Sequence, residues 1–304
     1  MATESIRSLL FVPASDPRKI AKARSVGADA IILDLEDSVT PSELPRARAA
    51  VVEALEDPAL PAVFVRVNHP STGEMEADLQ AACTGRLHGI ILPKVESAAE
   101  VHLLDALVTE LLDDSGPAQQ IALLPLVESC LGLRRCYDIA TSSPRVVGLA
   151  FSGGESGDFM ADLDGEWTPD GLAMAYPQSK LVCETRAAGH TWPVDGVCMI
   201  LDDDAVLDEA CRRARVMGYQ AKMAIHPRQV EVINRTFTPP ADVVAYAEDL
   251  IDAFRQAGVD GHGALRFRGV MVDKANVVRA ERVLARAARL GDAHGDGHGR
   301  GSAG

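Results

Sequence analysis

Eight short aliphatic runs recur along the chain, and most are followed by a stretch with helical periodicity. The runs are Leu9–Val12, Ala30–Leu35, Val63–Val67, Gly89–Leu92, Ile121–Val127, Val146–Phe151, Gly196–Ile200 and Lys222–Ile225. They are bounded by Gly, Pro or charged residues and are mostly aliphatic along their length, which is how strands buried on both faces read. Pro17–Ser25, Glu43–Leu55, Glu74–Thr84, Ala98–Asp113, Leu131–Ala140, Gly171–Ala188 and Ala205–Met217 read as the intervening helices. Strand and helix alternating through eight strands predicts an α/β fold, a (β/α)8 TIM barrel. A doubly wound open sheet is the alternative, but no GxGxxG follows the first strand.

Residues 1–239 are assigned to the barrel. From Pro240 to Leu290 two more helical patterns, Ala241–Ala257 and Asn276–Arg289, are separated by Gly261, Gly263 and Gly269 and read as a C-terminal helical extension over 240–290. The end, 291–304, is Gly-rich and polar and buries too little apolar area to offset ordering entropy, so a disordered tail is expected. Its His294 and His298 are read as part of that tail rather than as a metal site.

Composition excludes several functions. Among 304 residues, 44 acidic side chains outnumber 30 basic ones, for a formal net charge of −14. So acidic a chain is a poor ligand for nucleic acid phosphates. No apolar stretch approaches the ~18 to 20 residues of a membrane-spanning helix, and the apolar run near the N-terminus is broken by Pro13 too early for a signal peptide. A cytoplasmic protein with no membrane partner is expected. The six cysteines form no CxxC pair and read as small buried hydrophobes, not as disulfides or a zinc site.

In such a barrel the chemistry collects at the C-terminal ends of the strands. There stand Asp34, Glu36 and Asp37 after the second run, Arg66 and Asn68 after the third, Lys94 after the fourth, and Glu128 and Ser129 after the fifth. Glu155 and Asp158 follow the sixth, and His226 and Pro227 the eighth. Converging carboxylates beside an Arg and a Lys suit a divalent cation and an anionic substrate. Mg2+ takes hard oxygen ligands, only one or two of them carboxylates, and leaves the rest to water and substrate. Each residue also has a structural role open to it. Glu36 and Asp37 can cap a helix, Arg66 can pair with Asp34 or Glu36, and Glu128 can pair with Lys94.

The segments RSLLFVPAS, DAIILDLEDSV, VRVN, GIILPKVES, LLPLVES, DFMADL, AKMAIHPRQV and GVMVDKANVVRA resemble, in this order, the citrate lyase β-subunit-like group of the HpcH/HpaI aldolases, which includes malyl-CoA and citramalyl-CoA lyases. The match covers about residues 6 to 288. The resemblance implies a Mg2+-dependent barrel that cleaves or forms a carbon–carbon bond next to a coenzyme A thioester. It implies Glu128 and Asp158 as metal ligands. Arg66 is placed by the thioester carbonyl, and Glu36 and Asp37 as acids holding waters and basic residues. Glu128, Arg66 and Lys94 are read as binding substrate, and Arg18 and Lys22, with Lys19, as partners of the coenzyme A phosphates. It implies a homotrimer or hexamer in which a C-terminal lid carries Asp273 over a neighbouring subunit's site for proton transfer.

Three departures stand out. FSGGESGDF is longer than the family's segment after strand six and leaves Glu155 and Asp158 competing for one ligand position, with the longer downstream match favouring Asp158. Gln178 stands where the family often has Arg, and Leu44 where it often has Lys. Two other readings remain: a metal-dependent aldolase acting on free oxo or hydroxy acids, and a non-catalytic acyl-CoA-binding homologue.

Overall fold

Eight parallel strands close on themselves in sequence order: β1 Ser8–Pro13, β2 Ala30–Asp34, β3 Ala62–Arg66, β4 Leu87–Leu92, β5 Ala122–Val127, β6 Ala150–Phe151, β7 Val194–Asp195 and β8 Ala221–Ala224, with β8 paired back to β1. The expected TIM barrel is what forms. The computed structural model describes residues 3–113, 120–259 and 263–295. Among them no helix is long and apolar enough to cross a membrane.

Around the strands run α1 Pro17–Ala23, α2 Leu44–Leu55, α3 Met75–Ala82, α4 Ala98–Asp113, α5 Cys130–Arg134, α6 Cys136–Ala140, α7 Asp158–Leu163, α8 Leu172–Ala187, α9 Asp204–Met217 and α10 Pro227–Phe237. Side chains alternate across each strand. Ile6, Leu9, Ile32, Phe64, Ile91, Leu124, Leu126, Val194 and Met223 fill the barrel, while Leu10, Ile31, Leu33, Val63, Val65 and Ile90 face the helices in a second, larger core. Both strand faces are therefore dry, which explains the unbroken aliphatic runs.

Three expectations fail locally. The seventh strand is Val194–Asp195, not Gly196–Ile200. The backbone of that apolar run is satisfied by side chains instead of a neighbouring strand: Glu155 Oε2 accepts from Met199 N at 2.7 Å, and Gln229 Nε2 donates to Cys198 O at 2.8 Å. The sixth strand shortens to Ala150–Phe151, with a single bridge from Leu123 to Val146 before it. Gly148 is pinched there, since an added Cβ would meet Trp192 O at 2.1 Å. The helix expected over Leu131–Ala140 is interrupted at Arg135.

Contacts divide the chain into two units, Ile6–Phe237 and a second made of Met1–Ser5 with Thr238–Gly304. The second unit holds α11 Ala241–Val259, a hairpin of β9 Leu265–Phe267 and β10 Val270–Val272, and α12 Lys274–Gly295. The hairpin was not foreseen. Its two turn residues, Arg268 and Gly269, both have positive φ, 44° and 87°, as the tight turns that match strand twist require. Helix α12 reaches Gly295, into the stretch read as a tail, and residues 296–304 lie outside the described residues.

The helix-facing layer also holds a buried ion pair. Asp195 Oδ2 accepts from Lys222 Nζ at 2.6 Å and its Oδ1 from Gln178 Nε2 at 3.0 Å, with the two charged side chains 2% and 4% exposed. Asp195→Ala leaves the Lys222 ammonium buried without its counter-ion. It is expected to cost about 3–5 kcal/mol of unfolding free energy, measured by urea denaturation.

Candidate active site

Asp34 closes β2 and Arg66 closes β3, and the register sets them opposite each other. Arg66 Nε donates to Asp34 Oδ1 at 2.6 Å and Nη2 to Oδ2 at 2.8 Å. The same carboxylate accepts from the backbone of Glu36 and Ser38, both at 3.1 Å, and so caps the turn that carries Glu36 and Asp37. Burial works against the charged form of Asp34, but these four donors outweigh it and hold its carboxyl below the usual range. Arg66 also stacks over Phe11, 4.8 Å from the ring centroid.

The remaining arm of Arg66 faces acids. Nη1 lies 2.9 Å from Glu36 Oε2 and 3.3 Å from Asp37 Oδ2. Lys94 Nζ reaches Glu36 Oε1 at 2.5 Å, Asp37 Oδ1 at 3.1 Å and Asp158 Oδ2 at 3.5 Å. Lys94 sits at φ 52°, in the left-handed region that L side chains rarely adopt. These contacts, with its N–H on Glu128 Oε1 at 3.0 Å, hold it there. Glu128, next after β5, is 4% exposed. Burial pushes its carboxyl up to about 7, with Glu36 and Asp158 adding to the push and Arg66 and the Lys94 N–H opposing it. Burial likewise raises Glu36.

A cavity of about 640 Å3 opens at this end of the barrel. Asp34, Asp37, Arg66, Glu128 and Asp158 line it, so the fold brings most of the expected residues to one place. Glu36 and Lys94 stand behind them through the ion pairs above. The pairing of Arg66 with Asp34 and Glu36 is real, while Glu128 meets Lys94 through the backbone N–H, not the ammonium. Asp158 opens α7 and faces the cavity; Glu155 is taken up by the segment after β7. On α1, Lys19 and Lys22 line the cavity, but Arg18 does not. Asp273 belongs to the C-terminal unit, where its Oδ1 accepts from Ala275 N at 2.9 Å at the start of α12. Gln178 lies in the buried layer with Asp195 and does not line the cavity, and Leu44 is buried at the start of α2.

Asp34 stands among the strand-end acids of the sequence, but Ser38, Ser152, Val197 and Met199, which also line the cavity, do not show there. Asp34 was discoverable, since an acid ending a strand beside an Arg ending the next must meet it. The other four carry no such signal. Among the described residues no three His, Cys, Asp or Glu side chains cluster as a metal cage. Of the carboxylates that line the cavity, Asp34 and Asp37 are paired with Arg66, while Glu128 makes no ion pair among the described residues and Asp158 meets only Lys94, at 3.5 Å.

Residues 7–227 match the sequence model of the HpcH/HpaI aldolase/citrate lyase family. The chain is 33% identical over 295 residues to the citrate lyase subunit beta of Leuconostoc mesenteroides subsp. cremoris, covering 95% of this chain and 96% of that one. It is 34% identical over 283 residues to a (3S)-malyl-CoA thioesterase of Cereibacter sphaeroides, covering 92% and 94%. The crystal structure of protein CitE from Mycobacterium tuberculosis in complex with magnesium, acetoacetate and coenzyme A superposes with a TM-score of 0.75 at 31% identity, covering 94% of this chain and 99% of that one.

The raised Glu128 carboxyl has a consequence for stability. It keeps its proton more tightly folded than unfolded, so stability falls as pH rises from 4.5 towards 7 and no further above that. With divalent cations chelated, the melting temperature is expected to drop across this window, and Glu128→Gln is expected to flatten the drop.

Proposed function

Because the chain belongs to the HpcH/HpaI aldolase/citrate lyase family, we propose that it is a Mg2+-dependent carbon–carbon lyase that cleaves or forms a 3-hydroxyacyl-CoA thioester, with acetyl-CoA and a 2-oxo acid on the other side of the reaction. The observation that carries this reading is the convergence of Glu128, Asp158 and Arg66 on one cavity at the C-terminal end of the barrel. The relatives support it, and so does the magnesium, acetoacetate and coenzyme A in the mycobacterial structure.

The donor set fits Mg2+. Glu128 is a buried carboxyl in an environment that disfavours its charge, with Asp158 and Glu36 adding negative potential. Two carboxylates leave the remaining positions to water and substrate, as Mg2+ prefers. When bound, the ion supplies Lewis acidity and a template at the oxo-acid end.

The chain's own residues do the rest. Glu128 and Asp158 hold the cation. Arg66 places a fixed positive charge where the oxygen of the acetyl-CoA enolate gathers negative charge. Its orientation is set in advance, since Asp34 holds Nε and Nη2 and Phe11 lies under the guanidinium. Glu36 and Asp37 hold the free arm of Arg66 and the Lys94 ammonium in place. Lys22, with Lys19, faces the cavity from α1 and serves the phosphates of coenzyme A. Asp273, carried by the extension as a lid over a neighbouring subunit's site, gives a proton to the enolate carbon in cleavage and removes it in synthesis. The reading includes a homotrimer or hexamer and a cytoplasmic place of action.

The test is a panel of 3-hydroxyacyl-CoA thioesters and the corresponding free hydroxy acids with Mg2+, following oxo-acid and free-thiol release. Oxo-acid release from thioesters, abolished by EDTA, is expected. Thiol release without an oxo acid marks thioester hydrolysis instead, and release from free acids alone removes coenzyme A from the reaction. Asp273→Asn is expected to slow turnover about 100-fold while Mg2+ binding stays unchanged.

A further inference from the structure

Glu128 and Asp158 stand on unequal supports. Glu128 follows directly on β5 and is tied to the Lys94 N–H at 3.0 Å. Asp158 lies across a loop from β6, at the first position of α7. Strand β6 is a weak anchor for that loop. Among the described residues it pairs with β7 only at Ala150 and Val194, whereas β1 and β2 run together from Leu9 to Pro13. Helix α7 begins after Gly157 and has no side-chain cap. Neither the sheet nor a cap therefore sets where Asp158 stands, and its half-exposed side chain meets Lys94 at 3.5 Å.

Two other acids supply what is missing. Gly157 N donates to Gly154 O at 3.1 Å, closing the turn that delivers Asp158 to α7. Glu155, inside that turn, reaches across to the segment after β7. Its Oε2 accepts from Met199 N at 2.7 Å and its Oε1 from Cys198 Sγ at 3.4 Å. Ser156 Oγ donates to Met199 Sδ at 3.3 Å, so the turn rests on Met199 at two points. The far end of this anchor is itself held. Gln229, 2% exposed, donates from Nε2 to Cys198 O at 2.8 Å and accepts at Oε1 from Ile225 N at 2.9 Å.

Asp162 works from the opposite side. It lies four residues on from Asp158, on the same face of α7. Its Oδ2 accepts from Cys130 N at 2.7 Å, and Cys130 stands two residues after Glu128. A short path thus runs from Glu128 through Cys130 and Asp162 to Asp158, and it sets the spacing of the two carboxylates. Neither Glu155 nor Asp162 lines the cavity. Both accept charge-assisted hydrogen bonds from backbone N–H groups, which are short and directional.

We infer that Glu155 and Asp162 are positioning residues, which hold Asp158 at a fixed place relative to Glu128 and so set the affinity of the site for a divalent cation. The inference rests on the reading above in which Glu128 and Asp158 hold that cation. Both bonds need an acceptor oxygen at the side-chain end and not a negative charge. An amide of the same length preserves them, and alanine does not.

Calorimetric binding of Mg2+ to the full chain tests this without turnover. Glu155→Ala and Asp162→Ala are each expected to weaken binding about 10-fold, while Glu155→Gln and Asp162→Asn stay close to the unaltered chain. A support that serves folding alone lowers the melting temperature in EDTA and leaves Mg2+ affinity unmoved. Unchanged affinity in either alanine variant overturns the inference for that residue. Equal loss in the amide and alanine variants also overturns it, because charge and not placement is then what the cation feels. Hydrogen exchange on the unaltered chain decides the matter where an alanine variant does not fold. Protected Met199 and Cys130 amides are expected, and exchange at the rate of an open peptide overturns the inference. Asp158→Ala separates the two claims. Affinity kept in Asp158→Ala sinks the placement of the cation and this inference with it. Affinity lost there but kept in Glu155→Ala and Asp162→Ala sinks the inference alone.

Discussion

Asp34 accepts two hydrogen bonds from Arg66 and two from the turn that follows it, all within a barrel wall where neither ion has much access to water. Neither charge is tolerable there without the other, because an unpaired buried ion costs several kcal/mol. The pairing therefore fixes more than two side chains. It locks the ends of β2 and β3 side by side, aims the third arm of the guanidinium into the cavity, and folds the Glu36–Ser38 turn around a single carboxylate. From that arm the charges alternate outward through Glu36 and Asp37 to Lys94 and on to Asp158.

A second buried network braces the same turn from the other side. Asn68 Nδ2 donates to Leu35 O at 2.9 Å and to Asp78 Oδ2 at 2.8 Å, and Arg48 closes the circuit on Asp78 Oδ1 at 2.8 Å. Asp78 is wholly buried on α3. The VRVN segment thus has two anchors pointing opposite ways: Arg66 into the cavity, and Asn68 into the helix layer, where it holds the backbone just before Glu36. Catalytic groups supported on strands with saturated hydrogen bonds behind them lose little order to thermal motion.

What could be read from the sequence follows from what periodicity encodes. Strands dry on both faces leave continuous aliphatic runs, so the barrel and the strand ends were legible, and the acids and the Arg at those ends came with them. Gly196–Ile200 has the same composition but is held by Glu155 and Gln229, contacts between residues far apart in the chain that no local pattern reports. The choice among Arg18, Lys19 and Lys22 turned on helical phase within a short helix. Neighbouring basic residues there point different ways, and only the last two face the cavity. The β9–β10 hairpin hid because its turn is Arg-Gly, not the Asn-Gly that usually announces one.

The acidic excess of the chain gains a specific meaning at this cavity. Most of the surplus carboxylates are solvated and inexpensive, but Glu128 and Glu36 are not: burial raises both, the charges of Glu36 and Asp158 raise Glu128 further, and the charge of Asp37 raises Glu36 further. A site built this way holds electrostatic tension between its buried carboxyls that a proton relieves in part. The tension cannot relax by movement, because Arg66 is fixed by Asp34, Lys94 by its strained backbone and three acids, and Glu128 by the Lys94 N–H. The rigidity that keeps five carboxyl groups together is thus also what keeps their mutual repulsion from relaxing away.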